Sequence, residues 1–135
     1  MSNSIAAQAD QLVNQIIWDA PETTFFALDQ RSEAAFGTTE GKVIDAAITM
    51  LHTRADNARA KYEKLVADVQ AIQGAGRNAI YLLDDGVVGE NMNQAIVWNS
   101  VGYWSELYSH TCSVVACHAE SAGLDINARL GYSIY

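Results

Sequence analysis

Proline occurs once in this chain, at Pro21, so helices elsewhere meet no ring that would break them. Cysteine occurs only at Cys112 and Cys117. In a helix that spacing turns their side chains about 140° apart and sets their Cα atoms beyond ~7 Å, so they cannot bridge each other. Free thiols fit a reducing compartment, and a cytoplasmic location is expected, that of the host cell or the virion if the chain is viral. No apolar run reaches the roughly 18 residues of a membrane-spanning helix. No basic stretch followed by an apolar run stands at the N-terminus, so no signal peptide is expected. No glycine-, serine- or proline-rich linker, internal repeat or low-complexity stretch divides the chain.

Basic residues are scarce as well. Eight Lys and Arg face 16 Asp and Glu, a net charge of −8, so neither nucleic acid nor an anionic membrane is an expected partner. The charge is uneven. Residues 39–74 carry five acids and five bases, whereas the segments before and after each sum to −4. The acidic surface should lie on the flanks, and a partner with a basic surface is one expectation that follows.

Half of the 135 residues are apolar and 18% are charged, the balance of a globular chain able to bury a core. The dominant pattern lies in Thr39–Gln73. Ile44, Ile48, Leu51, Ala55, Ala58, Tyr62, Leu65, Val69 and Ile72 follow one another in steps of 4 and 3. That is an a/d seam on a helix of about 35 residues, or ~50 Å. Thr38 or Thr39 is placed to cap it, Glu40 suits its first turn, and Gly74 and Gly76 end it.

Three other helical stretches are expected. Ser4 caps the first, which runs to about Trp18 with Ile5, Ala9, Leu12 and Ile16 inward. Glu22–Phe36 is read as helix, with Phe25, Leu28 and Phe36 near one side, although Thr23–Phe26 also suits a short strand. Glu90–Ala122 is the second long helix. Its wide apolar arc includes Val101, Trp104, Tyr108, Cys112, Val115 and Ala119, and Gly102 either kinks it or admits another backbone. Between the long helices, Arg77–Leu83 suits further helical turns, with a tiny hairpin over 80–88 as the alternative.

From Leu124 onward the period changes. Leu124, Ile126, Ala128, Leu130, Tyr132 and Ile134 alternate with polar residues or glycine, the pattern of a strand with one apolar face. A lone strand leaves its backbone groups unpaired, and pairing with a neighbouring copy would satisfy them. These six residues, with Trp98, are the expected oligomer interface. The fold class expected is all-α, an antiparallel bundle of three to four helices, two of them long, over 1–123, with an extended C-terminal β-arm over 124–135.

The residues that could carry chemistry do not converge. Glu106, His110, Ser113 and Cys117 share one helical face, but His110 and Cys117 stand ~10.5 Å apart along the axis and cannot share a proton. Glu106 and His110 are kept as a candidate ligand face. His52, His110, His118, Cys112 and Cys117 show no C-x-x-C or H-x-x-x-H spacing, so no metal is expected. Gly74-Ala75-Gly76-Arg77-Asn78-Ala79 matches G-x-G-x-x-A in letters, but a helix precedes it and Asp84 follows too early, so helix termination is the better reading. Arg54, Arg59, Lys61 and Lys64 crowd the middle of the long helix, interleaved with Asp56, Glu63 and Asp68, either as a solvated face or as a patch that meets the acidic flank of another copy. The expectation is a non-enzymatic structural subunit of a homo-oligomeric assembly, of capsid, tail or filament type, with no cofactor. An acidic inhibitor of a basic partner, such as a nucleic-acid enzyme, is the second reading. A small-molecule-binding bundle is the third.

Overall fold

The computed structural model describes residues 4–74 and 98–134, and five helices account for most of them. They are α1 (Ile5–Asp19), α2 (Phe25–Ala34), α3 (Thr39–Gly74), α4 (Tyr103–Ser121) and α5 (Ile126–Leu130). The turns expected at 77–83, the alternative hairpin over 80–88 and the first part of the expected second long helix, 90–97, lie outside the described residues. The chain divides into two compact units, each with its own core.

The described parts of the first unit are 4–57 and 98–104. The Ser4 hydroxyl caps α1 by accepting the Ala7 N–H at 3.1 Å, as expected. Ala9, Val13 and Ile16, spaced 4 and 3, form its buried stripe. Thr24 caps α2 in the same way through Ala27 N–H, and Leu28 is the residue α2 buries fully. Thr38 caps α3 through Gly41 N–H at 3.0 Å. Val43, Ala47 and Leu51 of α3 complete this core together with Val101. Helix α2 stops at Ala34, so Phe36 lies beyond its end and is not on its inward side.

The described parts of the second unit are 58–74 and 105–134. Leu65 and Val69 of α3 pack with Cys112, Val115 and Ala119 of α4 and with Ile126 of α5, and Ile72 and Tyr108 border them. The heptad seam of α3 holds along its length, since every one of its nine residues is buried or half-buried. The arc foreseen on α4 also holds from Trp104 to Ala119.

Two expectations are corrected. The second long helix does not run unbroken from Glu90, because residues 98–102 are not helical. Their backbone is engaged elsewhere. Val101 N–H donates to Thr23 O at 2.9 Å, Gly102 N–H donates to Pro21 O at 3.1 Å, and Asn99 O accepts Phe25 N–H at 3.4 Å. This pairing centres on an antiparallel bridge between Thr24 and Ser100, the one trace of the strand tendency of 23–26. Helix α4 therefore starts at Tyr103.

The second correction concerns the tail. Ile126–Leu130 is helix, not strand. Asp125 caps it by accepting Ala128 N–H at 3.2 Å, and Gly131 closes it at φ +79°, a left-handed conformation that glycine adopts without strain. The turn before it has the Schellman pattern, Leu124 N–H reaching Ala119 O at 2.9 Å, which seats Leu124 against the core. Ile126 is 1% exposed, and Leu124, Leu130 and Ile134 pack beside it. The local chain thus satisfies the polar groups that an extended arm would leave open.

Candidate interaction surface

The tail residues expected at an oligomer interface are mostly occupied within the chain. Leu124, Ile126, Leu130 and Ile134 belong to the second core, Tyr132 is half-buried against α3, and only Ala128 is exposed. Trp98 is different. It is 71% exposed, and its ring meets Tyr103 edge-on at 6.0 Å between centroids. Tyr103 in turn stands edge-on to Trp104 at 5.1 Å.

The bridge that precedes α4 also brings the backbone of Phe26 next to that of Trp98. Hydrogen bonds from 21–25 to 99–102 align the two stretches antiparallel. Phe26 and Trp98 therefore emerge from adjoining backbone, and Phe26 is 66% exposed. Trp18, 83% exposed, is the next-to-last residue of α1, three residues before Pro21. The neighbouring Phe25 faces inward and stacks on His52, with ring planes 8° apart and centroids 3.9 Å apart. Phe36, 90% exposed, lies past the other end of α2. An exposed Trp or Phe leaves about 1.5–3 kcal/mol of burial free energy unrealised, so Phe26 and Trp98 on the two bridged stretches are a feature to be explained. The charged residues within the two bridged stretches are acids, and Arg31 follows directly on α2. Residues 18–30 and 98–104 contain Asp19, Glu22 and Asp29, all exposed, and no base.

The sequence marked Trp98 for an interface, read Phe36 as inward and gave Phe26 no surface role. Phe26 lies next to the inward stripe of Phe25 and Leu28, one step around the helix, and that offset is the signal it carried.

The candidate ligand face lies on α4. Glu106 is exposed and His110 half-buried, with His110 Nε2 shielded from solvent and without a hydrogen-bond partner among the described residues. Ser113 and Cys117 lie further along. They border a shallow groove of about 550 Å³ with Tyr108, Cys112, Glu120 and Ile134, and neither Glu106 nor His110 lines it. Burial pushes the Cys112 thiol above its ordinary pKa, the opposite of what activates a nucleophile. Among the described residues no three His, Cys, Asp or Glu side chains stand close enough to hold a metal ion. No described helix is long and apolar enough to cross a membrane.

On α3 the basic stretch is partly paired in place. Arg59 Nε meets Glu63 at 3.0 Å, as its spacing led one to expect, and Lys64 Nζ meets Asp68 at 2.7 Å. Arg54 and Lys61 belong to neither pair and are exposed. No protein-family model, curated protein or solved structure matches this chain.

Proposed function

We propose that this chain is a non-enzymatic, bundle-type subunit of a homo-oligomeric assembly, a structural component of the capsid, tail or filament kind. The observation that carries the reading is Trp98, a large aromatic side chain left exposed on a stretch whose backbone pairs with the one that carries the exposed Phe26. Trp and Phe are enriched in the fully buried centre of interfaces, where a few such residues supply most of the binding energy. The C-terminal tail no longer supports the proposal. Its apolar residues serve their own unit, so the contact moves to the α1–α2 junction.

Light scattering over a range of concentrations tests this. The chain is expected to sediment and scatter as a multimer. The double substitution Trp98→Ser and Phe26→Ser should lower its mass to that of one copy while leaving helical circular dichroism unchanged. A wild-type chain of monomer mass at every concentration overturns the proposal. The acidic-inhibitor reading draws on the same unit, whose described residues carry eight acids and three bases. It predicts a monomer that binds a basic partner with strong salt dependence.

A further inference from the structure

Resting on the assembly reading above, we infer that the contact is isologous and runs from that junction along α1. The outward face of α1 packs antiparallel on the same face of a second copy, with Trp18 of each over Ala7 of the other. The helix itself defines this face. Ala9, Val13 and Ile16 are buried, and on the opposite side Ala7, Gln11, Asn14 and Trp18 are all exposed. Their steps of 4, 3 and 4 make an a/d seam, and none of the four is charged. The seam is symmetric about a point between Leu12 and Val13. A two-fold axis there sets Ala7 of one copy against Trp18 of the other, and Gln11 against Asn14. The smallest side chain of the seam thus meets the largest, so the two faces interdigitate. The two amides also match, because each carries both donors and an acceptor.

Charge selects the direction. Asp19 and Glu22 follow the seam at one end, and α1 contains no base. A parallel pair would set these carboxylates beside their own images, which like-charge repulsion opposes. An antiparallel pair holds the two Asp19 carboxylates ~20 Å apart along the axis, beyond the screening length of about 8 Å at physiological ionic strength. It also brings each Asp19 level with the first turn of the other α1, where the helix dipole is positive. Two helices of 15 residues touch over ~22 Å, which leaves α1 by itself among the small, weak contacts. The contact therefore also draws on Phe26 and Trp98, carried by the paired stretches that begin at Pro21, two residues past α1. That is why loss of those two rings is expected to separate the copies although α1 is intact.

Charges placed in the seam test this. Gln11→Glu with Asn14→Glu sets carboxylate against carboxylate across the two-fold axis. Gln11→Lys with Asn14→Glu sets Lys against Glu in the antiparallel register, whereas a parallel pair would set Lys against Lys. Both variants keep good helix formers in α1, and circular dichroism checks that both are folded. Light scattering should show that the first variant needs at least tenfold higher concentration than the wild type to associate. The second should associate at least as well as the wild type. If the first variant associates like the wild type, α1 lies outside the contact, and the inference falls while the assembly reading stands. If both variants are folded monomers and the wild type is not, the antiparallel register is refuted. A wild type of monomer mass at every concentration sinks both ideas and leaves the face of α1 to an unlike partner.

Discussion

Tyr132 donates its hydroxyl proton to Asp68 Oδ2 at 2.7 Å, across 64 positions of sequence. The same oxygen accepts Lys64 Nζ at 2.7 Å, and Lys64 Nζ sits 4.6 Å from the centre of the Tyr132 ring. One acid and one base of α3 thus hold the tail that follows α5. Tyr132→Phe keeps the ring beside Lys64 and removes only the donor. The melting temperature should fall slightly. The amide of Ile134, which donates to Asn127 Oδ1 at 3.0 Å, should exchange faster with solvent. Unchanged exchange at Ile134 would show that the tail is held without this bond.

The same pair sets a pH response at both ends of the scale. Hydrogen bonds from Lys64 and Tyr132 favour the charged form of Asp68 and lower its pKa below the usual 3.8. The unfolded chain then takes up the proton first as pH falls. The stability contributed by Asp68 is complete above the usual value and disappears as pH drops through the lowered one. Tyr132 is shifted the other way, first by burial and then by its bond to Asp68, so the folded chain keeps the phenolic proton longer. Its contribution is complete below the usual 10.0 and declines as pH rises beyond it. Melting curves against pH should show both losses in the wild type, and Tyr132→Phe should shrink the alkaline one, leaving the part that the raised Tyr108 and Cys112 contribute.

Ile126 tests whether the tail belongs to its unit. The side chain is buried among Leu65, Val69 and Val115, so Ile126→Ala should cost about 2–5 kcal/mol in urea unfolding. Removal of the residues after Gly123 should destabilise the fold in the same way and, under the proposed assembly, leave the contact at the α1–α2 junction unaffected. A truncated chain of full stability that has lost its assembly would instead return the tail to the interface.

The tail shows why period alone misled. Ile126 and Leu130 are two residues of an alternating series and also an i, i+4 helical pair, so both templates claim them. The decision lies with Asp125 and Gly131, whose capping roles do not enter a hydrophobic period. By contrast, Ile44 through Ile72 repeat for many turns, and no strand pattern competes with them, so α3 and its buried face were legible in full. Helix α4 was legible from Trp104 onward but not at its start, because the backbone of 98–102 bonds to residues about eighty positions away. Phe26 was missed for a related reason: a single apolar residue off the stripe carries no period, and its exposure is a property of the folded surface.

Gly102 gives a sharper case, since its sequence context allowed either a kink or a close backbone approach. The approach is what occurs. A Cβ added there would stand 2.9 Å from Pro21 Cβ and 3.0 Å from Pro21 O, and both groups belong to a stretch fixed by hydrogen bonds. Gly102→Ala should therefore force the two stretches apart and cost about 1–3 kcal/mol by denaturant unfolding. Trp98 fluorescence should shift as well, because its position depends on that pairing. A neutral substitution would mean that the bridge between Thr24 and Ser100 does not hold the aromatic surface in place.

The two cysteines should differ in reactivity for a reason visible in their surroundings. Cys117 is exposed on the polar side of α4, whereas Cys112 is buried against the second core. Desolvation raises the pKa of Cys112, and a hydrogen bond with Tyr108 offsets only part of that rise. The thiolate is the reactive form, so Cys112 is slow on two counts, access and ionisation. A disulfide reagent added to the folded chain at neutral pH should label one thiol quickly and the second only as the unit unfolds. Cys117→Ser should abolish the fast phase, and Cys112→Ser should leave it unchanged. Tyr108→Phe removes the larger of the two hydrogen bonds that favour the Cys112 thiolate, so the slow phase should become slower still unless the loss loosens the core. Urea unfolding of the same variant separates those outcomes, since a loosened core would speed labelling and lower the unfolding midpoint together.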